Sequence, residues 1–323
     1  MRFANWSLAL PGVNEHDYPL IEAQRTMSTR LTENDVTPEP LYRERRLFIV
    51  SAAAALGASW AGRNAIAAPS PVVDKPNTLE EISSYNNYYE FSTNKEAVRV
   101  LAQALSTSPW NLTVEGEVAK PFTIGVEDLL KRFFIEERIY RLRCVEGWSM
   151  VIPWNGFPLH KLIDLAQPTG QAKYIEFVSL LRPKEMIGQR QSSLDWPYRE
   201  ALRLDEARHP LAFMATGLYG QTLPKQNGAP LRLVVPWKYG FKQPKAITHI
   251  RFLRDIPKTS WQQIAPTEYG FYGNVNPDVA HPRWSQRREN RIGELRKRPT
   301  LPFNGYAQDV AHLYAGLDPK LLF

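Results

Sequence analysis

The 323-residue chain has a single cysteine, Cys144, and its neighbours are the residues best placed to make it reactive. It stands in Arg141-Leu-Arg-Cys-Val-Glu-Gly-Trp-Ser149. A thiolate is both a nucleophile and a soft metal ligand, and Arg141 and Arg143 are expected to favour the deprotonated sulfur. Glu146, two residues on, and Asn87, in Tyr85-Asn-Asn-Tyr-Tyr-Glu-Phe91, could each position water or protonate a leaving group. One cysteine excludes an internal disulfide and a zinc site built on several thiolates. In an oxidising compartment an unpaired exposed thiol is a liability, so Cys144 is expected to be either buried and inert or committed to a function. His160 invites a Cys-His nucleophile reading, but its apolar helical neighbours make it a core-edge or surface histidine.

The elements that must hold these residues are short. Twenty-six prolines and 11% aromatic residues favour an α+β, strand-rich chain over a helical bundle. Alternation predicts a half-buried strand through Trp110, Leu112 and Val114, and a strand over Ile139–Cys144 that ends at the cysteine. Further strands are expected at Tyr174–Leu181, from Leu211, at Leu231–Pro236 and at Ile247–Leu253. Short helices are expected at Val126–Phe133, Pro158–Ala166 and Leu204–His209, with a closing helix at Ala307–Leu317. The charged stretch Arg283–Arg298 has little periodicity and is expected to wrap the outside.

At the front, Arg45-Arg46 precedes an apolar run of about fifteen residues, shorter than the roughly twenty that span a bilayer. Ala65-Ile66-Ala67 follows as a cleavage signal. This pattern predicts a twin-arginine signal over residues 1–67, use of the twin-arginine export machinery and a periplasmic destination. Forty-four residues ahead of the arginine pair make a long lead, and a translation start at Met27 would shorten it. Residues 68–82 read as a linker and 83–323 as the folded domain. That export route carries folded proteins, which hints at a cofactor inserted before transport.

The formal charge of +7 belongs wholly to the chain beyond residue 67. Nucleic acid, anionic lipid, an acidic partner or a polyanionic cofactor would each account for it, and charge alone does not choose. On the residues alone, Asn227-Gly228 is a turn and Trp237–Lys242 a strand with an aromatic-basic pattern.

Several segments match a known pattern in order: the two quoted above, Arg203-Leu-Asp-Glu-Ala207, Gln226-Asn-Gly-Ala-Pro-Leu-Arg232, Pro236-Trp-Lys-Tyr-Gly-Phe-Lys242, Glu268-Tyr-Gly-Phe-Tyr-Gly-Asn-Val-Asn-Pro277 and His281-Pro-Arg-Trp-Ser-Gln286. They closely resemble the sulfite oxidase fold family of molybdopterin enzymes, and within it catalytic subunits that remove oxygen from methionine sulfoxide in proteins. The resemblance implies one molybdenum on a single molybdopterin, with Cys144 as the protein ligand. It places cofactor contacts on Asn86, Tyr89, Glu90, Ser179, Asn227, Arg232, Gly240, Phe241 and Lys242. Serine at 179 replaces the family's threonine and keeps the hydroxyl, while the loop Ile187–Trp196 is shorter than in relatives. The resemblance also implies a haem-containing membrane subunit as electron donor and oxidised periplasmic proteins as substrates. It implies a monomer without the additional immunoglobulin-like dimerisation domain of other members, and no nucleic-acid partner. Two other readings stay open here: a sulfite oxidase-like dehydrogenase and a cofactor-free periplasmic binding protein.

Overall fold

Two mixed β-sheets carry the chain in the computed structural model, which describes residues 74–318 and Leu321. The paired arginines, the apolar run, the cleavage signal and Met27 lie outside the described residues, as do residues 68–73 of the expected linker. In chain order the strands are β1 (Asn111–Gly116), β2 (Phe122–Gly125), β3 (Glu136–Arg143), β4 (Trp148–Pro158), β5 (Tyr174–Ser179) and β6 (Arg199–Arg203). They continue as β7 (Phe213–Leu218), β8 (Gln221–Thr222), β9 (Arg232–Val234), β10 (Ile247–Leu253), β11 (Arg288–Arg291) and β12 (Arg298–Pro299).

The first sheet has the order β2-β1-β10-β5-β6, with β1 parallel to β10. Its strands follow the expected alternation: Trp110, Leu112 and Val114 are buried, as are Ile250 and Phe252. The second runs β12-β11-β4-β7-β8, with β3 added beside β4 and β9 beside β7. Its axis is β4, eleven residues long and buried nearly throughout, paired with β3, β7 and β11. A strand flanked on both sides and covered on both faces needs no polar alternation, and β4 has almost none. The helix Leu159–Ala166 follows at once, with Leu159, Leu162, Ile163 and Ala166 all buried, as its spacing predicts.

Five elements depart from expectation. β3 begins at Glu136, not Ile139, because it is an edge strand, where Glu136-Glu137-Arg138 can face water without breaking the ladder to β4. The helix Leu79–Ser84 stands inside the stretch expected to be a linker. Thr78 and Glu81 form a reciprocal capping box at its start, and Asn77 is bonded to the backbone of Val151 on β4. Trp237–Lys242 is no strand: it ends in a single 3₁₀ turn, Gly240–Lys242, and the Lys238 ammonium is drawn inward to Glu206 at 2.7 Å.

The fourth departure bears most on the site. Residues 283–298 do not merely wrap the outside. β11 lies parallel to β4, pairing Asn290 with Trp148 and Arg291 with Ser149, and β12 folds back on it. The inward residues of β11 are charged, Glu289 and Arg291, and are tolerated because each is matched: Glu289 by Arg143 at 2.9 Å, Arg291 by the Ser149 hydroxyl at 2.9 Å. Hydrophobic periodicity cannot reveal such a strand. The closing helix is also short, Ala307–Val310, continued by a 3₁₀ turn to Tyr314.

Candidate active site

β3 delivers Cys144 one residue past its end, and a tight turn leads into β4. Cys144 N–H donates to Trp148 O (2.9 Å) and Gly147 N–H to Cys144 O (3.1 Å). Gly147 takes φ +89°, a left-handed geometry that strains residues with a side chain. The turn is clamped from outside by the segment before β11: Trp284 Nε1 (2.8 Å) and Gln286 Nε2 (2.7 Å) both donate to Val145 O. Arg143, fully buried, donates to Cys144 O as well as to Glu289 and Gln286.

The sulfur lies on the wall of a cleft whose lining runs from Ile82 to Tyr269. Asn87 Nδ2 donates to Cys144 Sγ (3.2 Å) and to Glu146 Oε2 (3.1 Å). That carboxylate also receives Lys95 Nζ (3.0 Å) and Trp148 Nε1 (3.3 Å). Burial alone would raise the Glu146 pKa, but donation from Asn87, Lys95 and Trp148 holds it below its ordinary value. Glu146 is therefore a carboxylate that anchors its neighbours rather than an acid ready to give up a proton.

The arginines beside Cys144 do not decide its acidity: the Arg143 charge lowers the thiol pKa, but burial outweighs it. Strand alternation turns both away from the sulfur, and each meets a carboxylate: Arg143 meets Glu289, and Arg141 meets Asp74 at 2.9 Å. Burial, reinforced by the Glu146 charge, pushes the Cys144 thiol up to about 12.

Asn86, Asn87, Tyr89, Glu90, Cys144, Glu146, Asn227, Arg232, Gly240 and Phe241 all line this one cleft. Lys242 and Ser179 do not. The Lys242 side chain is fully buried and its ammonium pairs with Glu200, since a buried lysine requires a counter-charge. Ser179 Oγ is buried without a hydrogen-bond partner.

The lining also fits a large anionic group rich in donors. Among the described residues Asn87 Oδ1, Asn227 Oδ1 and Gln243 Oε1 are buried acceptors without a partner, and buried acceptors are normally paired. Asn227 is fixed by donating to Ile82 O and Asn86 Oδ1, both at 2.9 Å. The Arg232 guanidinium donates only to backbone oxygens, of Asn227 (2.9 Å) and Leu233 (3.4 Å), and lies over the Trp154 ring. Burial draws its pKa down to about 10 and that of neighbouring Lys245 to about 8, so both gain from an arriving anion. Glu90, raised by burial to about 7, offsets them only in part. Gly228, at φ +105°, is needed here because a Cβ would meet Lys245 at 2.9 Å. At Gly240 a Cβ would stand 3.7 Å from Leu142 and 4.0 Å from Cys144 Cα, ordinary contacts, so packing within the chain does not itself demand a glycine there.

Sequence reasoning missed Lys245, which lies three residues past a matched motif with no pattern to mark it. It also assigned no role to Tyr85, Trp148, Trp261 or Tyr269, which complete an aromatic lining. Tyr85, Trp148 and Tyr269 were inside matched motifs, which was the available signal. Tyr89, Trp261 and Tyr269 form an edge-to-face and tilted series, with centroids 5.5 and 4.7 Å apart, and Phe241 meets Tyr269 at 5.1 Å.

Residues 99–261 match the family model described as the oxidoreductase molybdopterin binding domain. The chain is 51% identical over 318 residues to the protein-methionine-sulfoxide reductase catalytic subunit MsrP of Ralstonia nicotianae, covering 90% of this chain and 95% of that one. A solved structure, the sulfane dehydrogenase SoxCD of Paracoccus pantotrophus, aligns with TM-score 0.41 and 17% identity, over 70% of this chain and 61% of its own length.

Proposed function

The chain belongs to the molybdopterin-binding oxidoreductase family and is a molybdopterin-dependent oxidoreductase; from that premise we propose that it removes oxygen from methionine sulfoxide in proteins. The observation that carries the reading is the lone Cys144 sulfur on the wall of a cleft with three unpartnered amide oxygens and two cations. The substrate class is the one named for the Ralstonia relative. Aromatic side chains round the cleft are good partners for a thioether, the product of the reaction.

In this proposal Cys144 binds a single molybdenum carried by one molybdopterin. Asn227, Arg232 and Lys245 hold the anionic and ring portions of that cofactor, and Asn86, Glu90 and the Gly240–Phe241 backbone complete its bed. The bound group supplies two-electron oxygen-atom transfer. A metal held by Cys144 would favour the thiolate over the thiol, adding to the modest help that the Arg143 charge gives. Asn87 fixes the sulfur and Glu146 together, and Glu146 holds the Lys95 ammonium beside the cleft. Tyr89, Trp261 and Tyr269 orient the methionine side chain and exclude water.

Releasing the oxygen as water takes two electrons and two protons. One cysteine cannot ligate an iron-sulfur cluster, so electrons come from another protein, proposed to be a haem-containing membrane subunit drawing on quinones. Arg45-Arg46 supports a periplasmic site of action and the twin-arginine route.

The test is turnover by purified, cofactor-loaded protein with an artificial reductant. Reduction of an oxidised protein is expected; oxidation of sulfite with no reduction of sulfoxide would replace this reading. Two variants refine it. Glu146→Gln keeps the shape but removes the charge that anchors Lys95 and Asn87, and kcat is expected to fall about 10–100-fold with molybdenum content unchanged; an unaltered kcat would remove Glu146 from the mechanism. Trp261→Ala removes one aromatic contact, so KM for the oxidised protein is expected to rise about 3–10-fold while kcat holds. A fall in kcat at constant KM would show that Trp261 does not orient substrate.

A further inference from the structure

The stretch Arg287–Arg298, which forms the β11–β12 hairpin, contains six cations and two acids. Both acids are engaged: Glu289 is buried against Arg143, and Glu294 pairs with Arg298 at 3.6 Å. Arg291 is buried on Ser149. Arg287, Arg288, Arg296 and Lys297 remain exposed, and among the described residues none of them pairs with a carboxylate. Arg288 donates to Lys297 O, so cations of the two arms lie side by side. Between the arms the turn presents Leu295, fully exposed, and Leu301, just past β12, is 47% exposed.

We propose that this hairpin docks the protein on an anionic phospholipid surface. Arg296 and Lys297 directly follow the exposed leucine, and Arg288 reaches Lys297 O from the other arm, which suits the layering of such a surface: long basic side chains reach the headgroup phosphates while an apolar tip enters the acyl boundary. A protein partner fits less well, because a stable interface needs about 800 Å² per side with an apolar centre, and a narrow hairpin with one apolar tip offers neither. The mode of attachment has a use. Asn290 N–H donates to Gly147 O (2.8 Å), so the hairpin is bonded directly to the turn that carries Cys144, and docking holds the cleft beside the bilayer. The inference does not depend on which substrate the cleft takes.

Flotation of the full, cofactor-loaded chain with vesicles of equal parts phosphatidylglycerol and phosphatidylcholine tests it. Binding is expected to these vesicles, to weaken as salt rises, and to be absent with phosphatidylcholine alone. Each cation near an anionic surface contributes about fivefold to partitioning, so Arg296→Gln/Lys297→Gln is expected to weaken it about 25-fold. Leu295→Ser is expected to remove the part that survives high salt. Both variants share residues 1–73 with the wild type, so the difference reads the hairpin alone, and matching melting temperatures confirm their folds. Wild-type protein that stays off the phosphatidylglycerol vesicles would overturn the proposal. So would variants that float as well as wild type, or a hairpin-dependent affinity for an acidic protein with none for vesicles.

Discussion

Cys144→Ser is expected to abolish turnover while leaving the fold intact. Losing a partner of a metal ligand already costs about 10–100-fold in metal affinity or activity, so losing the ligand itself is expected to cost more than about 10³-fold. A serine hydroxyl keeps its proton where a thiol gives it up, so it offers the metal a harder and, being uncharged, weaker donor than a thiolate. The groups assigned to the pterin, Asn227, Arg232 and Lys245, are untouched. Metal analysis should therefore show molybdenum falling further than pterin content, and the melting temperature should barely move because serine fits the same space. Full activity in this variant would remove the sulfur from the mechanism, and equal loss of pterin and metal would show that the thiolate anchors the entire cofactor.

The largest effect on stability is expected from Arg143→Met. Arg143 is fully buried and bonded to Glu289, Gln286 and the Cys144 carbonyl. Removing it strands the Glu289 carboxylate in the interior, a loss of about 3–5 kcal/mol, or roughly 10 °C in melting temperature for a domain of this size. The cost lies in the orphaned charge more than in the lost bond, so Arg143→Met/Glu289→Met should recover at least about half of it. Thermal melts of both variants decide the matter. A single variant as stable as wild type would mean that Glu289 takes up a proton or finds another donor. The single variant should also lose activity beyond its stability deficit, because the same guanidinium steadies the turn that carries the sulfur.

How much of this was legible in the sequence depended on what buries each element. β1 and β10 alternate apolar and polar residues because one face meets the core, and both were visible; the helix Leu159–Ala166 was visible for the same reason at helical spacing. β11 was not, since Glu289 and Arg291 point inward and are solved by pairing, which depends on Arg143 and Ser149 far away in the chain. In the cleft, resemblance located eight lining residues, from Asn86 to Phe241, and residue chemistry added Asn87 and Glu146. It could not show that the Lys242 ammonium is committed to Glu200, nor that Lys245 stands in the wall where a cation was expected. The arginines beside Cys144 carried the opposite lesson: they pair with Asp74 and Glu289, and the pull of Arg143 on the thiol is outweighed by burial.

The clamp on the sulfur's turn has a consequence for biosynthesis. The last residue that lines the cleft is Tyr269, but Val145 O accepts from Trp284 and Gln286, and Arg143 donates to Gln286, Glu289 and Thr300. A nascent polypeptide grown only as far as Tyr269 possesses every wall of the site but lacks these outer fastenings of the sulfur's turn. A chain cut short before Thr300 is therefore expected to keep poorly whatever it had been given.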